Sequence, residues 1–282
     1  MSRTNFSRRS FLATAGTAAA AGMAALSPMG RLAAAASAKN LNLGVQLFSL
    51  RGYKVDEALK HASDLGFKFV EFYSGMYPTN SDAAAIAAMN KTLADLGLKI
   101  SAHGVNGFGK DEAANRKVFE FAKAAGIRTL SADPSPESLP NLNDLVKEFD
   151  VRVAIHNHGP TSRYNKAIDV LQAVEKYDPR IGACADLGHY LRSGEQPVEV
   201  IRLLKGRLYG IHLKDFAEMQ DKTKGVILGK GHLNVPAVMA ALVAADFPAD
   251  GALSLEYEEN EQNPLADIKE CARIANEAIA GL

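Results

Sequence analysis

The 282-residue chain contains no tryptophan and only two cysteines, Cys184 and Cys271. With no CxxC spacing, that pair excludes a disulfide framework, a zinc ribbon and a dithiol redox motif. An excess of one charge is missing as well, since 32 Lys and Arg balance 32 Asp and Glu. Proteins that hold nucleic acid by neutralising phosphates carry a basic excess, so no nucleic-acid partner is expected. No segment strings together the ~18 apolar residues of a stable membrane span. What is there is 47% hydrophobic and 23% charged, ordinary globular composition for one large domain or two small ones.

The first forty residues read as an address. Ser7-Arg8-Arg9-Ser10-Phe11-Leu12-Ala13 precedes a weakly apolar Ala/Gly stretch, and Ala36-Ser37-Ala38 has the small-x-small pattern of a signal-peptidase site. The arginine pair followed by Phe11 and Leu12 resembles a twin-arginine export signal. Residues 1–38 are therefore expected to be a cleaved signal peptide, with the twin-arginine export machinery as partner and a periplasmic or otherwise exported destination. Cleavage removes four arginines and no acid, which leaves 28 basic against 32 acidic side chains in residues 39–282. An exported protein seldom meets phosphorylated metabolites, so the substrate class narrows to non-phosphorylated compounds.

Beyond residue 38 short apolar runs alternate with helical patterns. Gly66-Phe67-Lys68, Gly97-Leu98-Lys99 and Gly126-Ile127-Arg128 each close a periodic stretch and open a strand-like run. Eight strands are expected at 42–48, 67–73, 98–104, 127–132, 151–157, 180–186, 206–213 and 251–257. Helices are expected near 54–65, 81–96, 110–125, 137–149, 163–177, 196–204, 235–245 and 264–280. Strictly alternating strands and helices imply parallel βαβ units, and eight of them close into a barrel. The open doubly wound sheet is the rival, but its Gly-rich phosphate turn is absent after the first strand, which runs into Gln46-Leu47-Phe48-Ser49. The fold class is thus α/β, a single-domain (β/α)8 TIM barrel over residues 39–282.

Active sites in such barrels lie at the C-terminal ends of the strands. Five of the seven histidines (103, 156, 158, 189 and 212) fall at or just after predicted strand ends. Alternate residues face opposite sides of a strand, so parity sorts them. Ala154, His156 and His158 share one face, as do Gly182, Cys184 and Asp186, then Gly210, His212 and Lys214, then Ala252, Ser254 and Glu256. The small-residue face belongs inside the barrel, and the polar residues close it at the mouth. His156, Asp186, His212 and Glu256 are therefore predicted to converge from four successive strands. Two imidazoles and two carboxylates suit one divalent ion, with Mn, Co, Zn, Fe or Mg all admissible. Taken singly, each has a plainer reading as a core histidine, a helix-capping aspartate or a paired glutamate.

The ordered series Gly44-Val45-Gln46-Leu47, Gly66-Phe67 with Val70-Glu71, Ile155-His156-Asn157-His158, Asp186-Leu187-Gly188-His189, His212-Leu213-Lys214-Asp215, Leu228-Gly229-Lys230-Gly231 and Leu255-Glu256 resembles the xylose isomerase-like sugar isomerase/epimerase superfamily. The resemblance implies one divalent ion at the ends of strands five to eight, and a substrate contact for His189. It also exposes two departures. The family usually has Glu where this chain has His156, so the symmetric two-glutamate proton transfer of the epimerases is not carried over. The endonuclease branch has an Asp and a His before its Leu-Gly-x-Gly turn, where this chain has Thr223 and Gly225, which argues against DNA repair.

An ion chelating neighbouring sugar oxygens polarises a carbonyl and stabilises the enediolate left when an α-proton departs. Proton return elsewhere isomerises, return on the opposite face epimerises, and loss of a β-substituent eliminates. Glu256 is the first candidate base, His158 the second, and Lys214 a candidate acid or a salt-bridge partner of Asp215 or Glu256. Gln46, Glu71, His103 and His189 are candidates for binding sugar hydroxyls, while Asn157 is expected to face outward and fix a loop. Either His156 or His158 could be the strand-five ligand. The His-Asn-His version of strand five resembles relatives acting on 3-keto sugars or glycosides, so a 3-keto-glycoside lyase or hydratase stands beside the isomerase/epimerase. A non-catalytic sugar-binding protein is the third reading. Ala-rich helix faces at 83–88 and 240–245 permit close packing, so a homo-oligomer is allowed.

Overall fold

A computed structural model describes residues 41–282, and the expected signal peptide lies outside the described residues. Eight parallel strands form a closed barrel: β1 (Leu43–Gln46), β2 (Phe69–Phe72), β3 (Lys99–Phe108), β4 (Thr129–Pro134), β5 (Arg152–His156), β6 (Ile181–Asp186), β7 (Leu208–Leu213) and β10 (Ala252–Leu255). β10 pairs with both β7 and β1 and so completes the ring. Around it lie α1 (Val55–Asp64), α2 (Ala83–Leu96), α3 (Glu112–Ala125), α4 (Leu139–Phe149), α5 (Ala167–Val174), α6 (Leu187–Arg192), α7 (Pro197–Leu203), α8 (Val235–Ala244) and α9 (Leu265–Ala280). Among the described residues no helix is long and apolar enough to cross a membrane.

Local chemistry sets these boundaries. Asp82 and Asp111 cap α2 and α3 by accepting from the Ala85 and Ala114 amides. Gly97 and Gly126 end those helices at φ 66° and 72°, the left-handed position that glycine takes without strain. The bulky strand residues Val153, Ile155, Ile211, Leu213, Leu253 and Leu255 join the core shared with the helices. Small residues fill the barrel interior. At Gly210 a Cβ would approach Cys184 Sγ to 2.7 Å, so a larger residue there would force Cys184 of the paired strand to shift.

Two elements go beyond the predicted set. α6 has six residues and the hairpin of β8 (Asp215–Phe216) with β9 (Gly225–Val226) has two per strand. Neither is long enough to leave a periodic signal. β3 also runs four residues past its predicted end, with register shifts against both neighbours.

The loop after the hairpin is held by one side chain. The carboxylate of Asp215 accepts from the backbone amides of Phe216, Gly229, Gly231, His232 and Leu233 at 2.8–2.9 Å. Asp215 is buried, so Asp215→Ala would strip those amides of this acceptor, with His232 N keeping the Phe216 carbonyl at 3.2 Å. A loss of about 2–4 kcal/mol in urea unfolding is expected, with Asp215→Asn falling between the two. A change under 1 kcal/mol would show that water or other groups replace the carboxylate.

Candidate metal centre

His156, Asp186, His212 and Glu256 stand at the C-terminal ends of β5, β6, β7 and β10, and all four are buried. One ligand atom from each lies within 4.8 Å of all the others. Atoms bonded at about 2.1 Å to a common ion lie at most about 4.2 Å apart, so only a slight contraction separates this cluster from a coordination sphere. His156 Nε2 and His212 Nδ1 are 3.1 Å apart, and His212 Nδ1 is 3.0 Å from Glu256 Oε2. Asp186 Oδ2 lies 3.6 and 3.9 Å from the two imidazole nitrogens. Asp186 Oδ2 and Glu256 Oε2 are buried yet receive no well-aligned hydrogen bond. Two such oxygens aimed at one point, with imidazole nitrogens between them, fit a divalent cation.

The supporting groups are equally specific. Asn157, absent from the cavity lining and fully buried, clamps the Asp186 main chain: Nδ2 donates to the carbonyl at 3.0 Å and Oδ1 accepts from the amide at 2.8 Å. Asp186 Oδ1 accepts from the His189 amide at 2.8 Å, capping α6 and turning Oδ2 toward the site. Arg192 donates to His189 Nδ1 at 3.2 Å, which leaves the ring proton on Nε2, 3.8 Å from Asp186 Oδ2. Burial pushes the His189 pKa down to about 3, so its ring is neutral.

Glu71 departs from its expected role. It lies beneath the cavity, inside the barrel, where His212 Nε2 donates at 3.1 Å, Ser131 Oγ at 2.7 Å and Ser254 Oγ at 2.6 Å. It thus orients a ligand rather than touching a substrate. Burial opposes its charge, but His212 and the two serine hydroxyls outweigh that and hold its pKa below normal. Glu71, Cys184 and His212 also lie close together, yet both Glu71 oxygens are satisfied by protein donors and burial pushes the Cys184 thiol up to about 11. Cys184 is a core residue, and both cysteines are free.

His103 departs further. Its Nε2 faces the Tyr77 carbonyl at 2.9 Å, and its ring packs against Phe121 of α3 and Tyr77. It does not line the cavity, whereas its neighbour Gly104 does. The small-face rule that sorted strands five to eight applies here too, with Ala102 and Gly104 inward and His103 toward the helices.

Above the cluster opens a cavity of about 360 Å³. One wall is polar, with His156, His158, His189, Lys214, Glu256 and Glu258, and the other carries Phe48, Tyr73 and Val105. Gln46 also lines it, with its Oε1 accepting from the Phe48 amide. The His158 ring stacks edge-on at 4.7 Å from His156 and lies outside the four-atom cluster, which favours His156 as the strand-five ligand. Glu258, Phe48 and Tyr73 were missed by sequence reasoning. For Glu258 a signal existed, since it shares the parity of Glu256. A larger groove of about 630 Å³ between α2 and α3 lies away from the cluster.

Charge at the cluster is unevenly held. Burial disfavours the His156 cation and leaves that ring neutral, ready to ligate. Burial also opposes charge on His212, but the Glu71 and Glu256 carboxylates at 3.1 and 3.0 Å overcome it and raise its pKa well above normal. Despite burial, Asp186 and Glu256 are held below the usual carboxylate range, Asp186 by the Lys214 ammonium, Glu256 by Lys214 and His212. A cation binding His212 Nδ1 must therefore displace a proton at neutral pH. Affinity should rise with pH by up to about tenfold per unit until His212 deprotonates by itself. Calorimetric titration with Mn²⁺ in two buffers of different ionisation heat reads the proton directly. Equal heats in both would rule the release out.

A closed parallel barrel whose mouth gathers two imidazoles and two carboxylates defines an α/β-barrel protein with a candidate divalent-cation site. More particularly, the chain belongs to the xylose isomerase-like TIM barrel family, which matches residues 59–277. It is 29% identical over 170 residues to 3-oxo-isoapionate decarboxylase of Pectobacterium atrosepticum, covering 55% of this chain and 60% of that protein. It is 36% identical over 84 residues to inosose dehydratase of Clostridium tetani, covering 29% and 28%. The chain thus spans less than two thirds of these curated relatives. A solved structure of an uncharacterised protein from Parabacteroides distasonis is 28% identical, with TM-score 0.66, covering 84% of this chain and 99% of that one.

Proposed function

We propose that this protein is an exported, divalent-metal-dependent enzyme of the sugar isomerase/epimerase type, which removes the proton α to the carbonyl of a non-phosphorylated keto-sugar. The observation that carries this reading is the pair of buried oxygens without an aligned hydrogen bond, Asp186 Oδ2 and Glu256 Oε2, gathered with His156 Nε2 and His212 Nδ1 where His156 and Glu256 line the cavity. His156, Asp186, His212 and Glu256 would hold the ion, which supplies Lewis-acid polarisation of the substrate's carbonyl and neighbouring oxygen. Glu256 is kept ionised by Lys214 and His212, and its second carboxylate oxygen is the first candidate to accept the acidified α-proton, although the same neighbours lower its basicity. His158, with no side-chain hydrogen bond among the described residues, is a second base on the same wall. His189, neutral and protonated at Nε2, donates to a substrate oxygen. Lys214 supplies the proton for an alkoxide or a leaving group.

A second reading has its own support. β5 brings an imidazole where the two-glutamate epimerases have a carboxylate, while the ammonium of Lys214 stands 2.8 Å from Glu256. One base and a nearby acid suit β-elimination from a 3-keto-glycoside. The curated relatives, a dehydratase and a decarboxylase by name, are compatible with lyase chemistry.

Incubating the Mn²⁺-loaded protein with keto-sugars and 3-keto-glycosides in D₂O, followed by NMR, separates these readings. Isomerisation conserves mass and brings deuterium into the product, whereas elimination releases the aglycone. Failure of any bound sugar to exchange its α-proton would leave a sugar-binding protein and refute the enzyme.

A further inference from the structure

Lys214 reaches three carboxylates at once. Its Nζ is 2.8 Å from Glu256 Oε2, 3.0 Å from Asp186 Oδ2 and 3.1 Å from Glu258 Oε1. Only the contact to Glu258 has the geometry of a hydrogen bond; the other two oxygens are the unpartnered ligand atoms of the metal centre. An ammonium and a divalent ion that share Asp186 Oδ2 and Glu256 Oε2 in a buried site repel each other and compete for the same lone pairs.

The surroundings constrain where the ammonium can go. At Gly188 a Cβ would come within 2.7 and 2.9 Å of Lys214 Cγ and Cβ, so the stem of the lysine runs tightly along α6 and only its end is free to swing. Glu258 lies on the outer side of that swing and is 37% exposed at its side chain. Its carbonyl is anchored by Arg51 Nη2 at 2.7 Å, and the Arg51 guanidinium lies over the Phe48 ring. The backbone that carries the Glu258 carboxylate is thus held in place.

We propose that Glu258 is a positioning residue, which draws the Lys214 ammonium off the two ligand oxygens so that Lys214 and a bound cation coexist. The inference rests on the metal reading of the cluster. With the ion in place, the Lys214–Glu258 pair would face the cavity and keep an acid beside the substrate without costing the metal its ligands.

Mn²⁺ affinity measured by titration calorimetry tests this without recourse to activity. Glu258→Gln is expected to weaken Mn²⁺ by about tenfold, because the freed ammonium falls back on Asp186 and Glu256. Lys214→Met, with Lys214→Gln as a second version should the first fold poorly, is expected to tighten Mn²⁺. In either lysine variant, adding Glu258→Gln should change affinity by no more than about twofold. An equal loss in both backgrounds would reduce Glu258 to a distant negative charge, and no loss in the wild-type background would overturn the proposal. If neither wild type nor the lysine variants bind Mn²⁺, the metal reading itself falls and this inference with it.

Discussion

Replacing Asp186 with asparagine is expected to weaken Mn²⁺ binding by at least about a hundredfold while the fold survives. The two effects separate because the two oxygens of Asp186 do different work. Oδ1 caps α6 through the His189 amide, and an asparagine oxygen accepts the same bond. Oδ2 faces His156, His212, His189 and Lys214, and an amide NH₂ in its place would turn donors toward an ammonium at 3.0 Å. The variant should keep near-wild-type circular dichroism and lose metal in equilibrium dialysis. Retention of stoichiometric Mn²⁺ by Asp186→Asn would remove this residue from the coordination sphere.

The second large effect belongs to Glu71. Glu71→Leu would leave the His212 ring proton and two serine hydroxyls facing an apolar group in a fully buried place. A stability loss of about 3–5 kcal/mol is expected in urea unfolding. Glu71→Gln keeps the shape and one acceptor, so it should fold, yet bind Mn²⁺ about ten- to a hundredfold more weakly because His212 is less firmly oriented. The sign of its pH dependence follows from a folded pKa held below the ordinary 4.5. The stability that Glu71 contributes is full above pH 4.5 and is lost as pH falls through the lower folded value. Glu71→Gln should flatten that acid limb of the stability curve. If the variant binds Mn²⁺ as tightly as wild type, His212 needs no such support.

Much of this was legible in the chain itself. The alternation of strand and helix set the barrel, and side-chain parity in strands five to eight brought His156, Asp186, His212 and Glu256 to one face. Parity says which side a residue faces and is silent on its depth along the barrel axis. Glu71 therefore read as a substrate contact, although it sits one layer below and touches His212 instead. His103 read as a strand end because β3 is longer than its apolar run, and the small residues flanking it, Ala102 and Gly104, were the overlooked clue. Asn157 was placed by parity, but parity could not name its partner, the Asp186 backbone of the neighbouring strand.

Glu71 also bears on the order in which the centre comes into being. It belongs to β2 and His212 to β7, strands that touch different neighbours and meet only across the lumen of the closed ring. A half-wrapped sheet would already carry every ligating side chain, but its His212 would lack the carboxylate that aims it. The orientation of His212 is thereby tied to completion of the cylinder, because only the closed ring brings β2 and β7 to face each other.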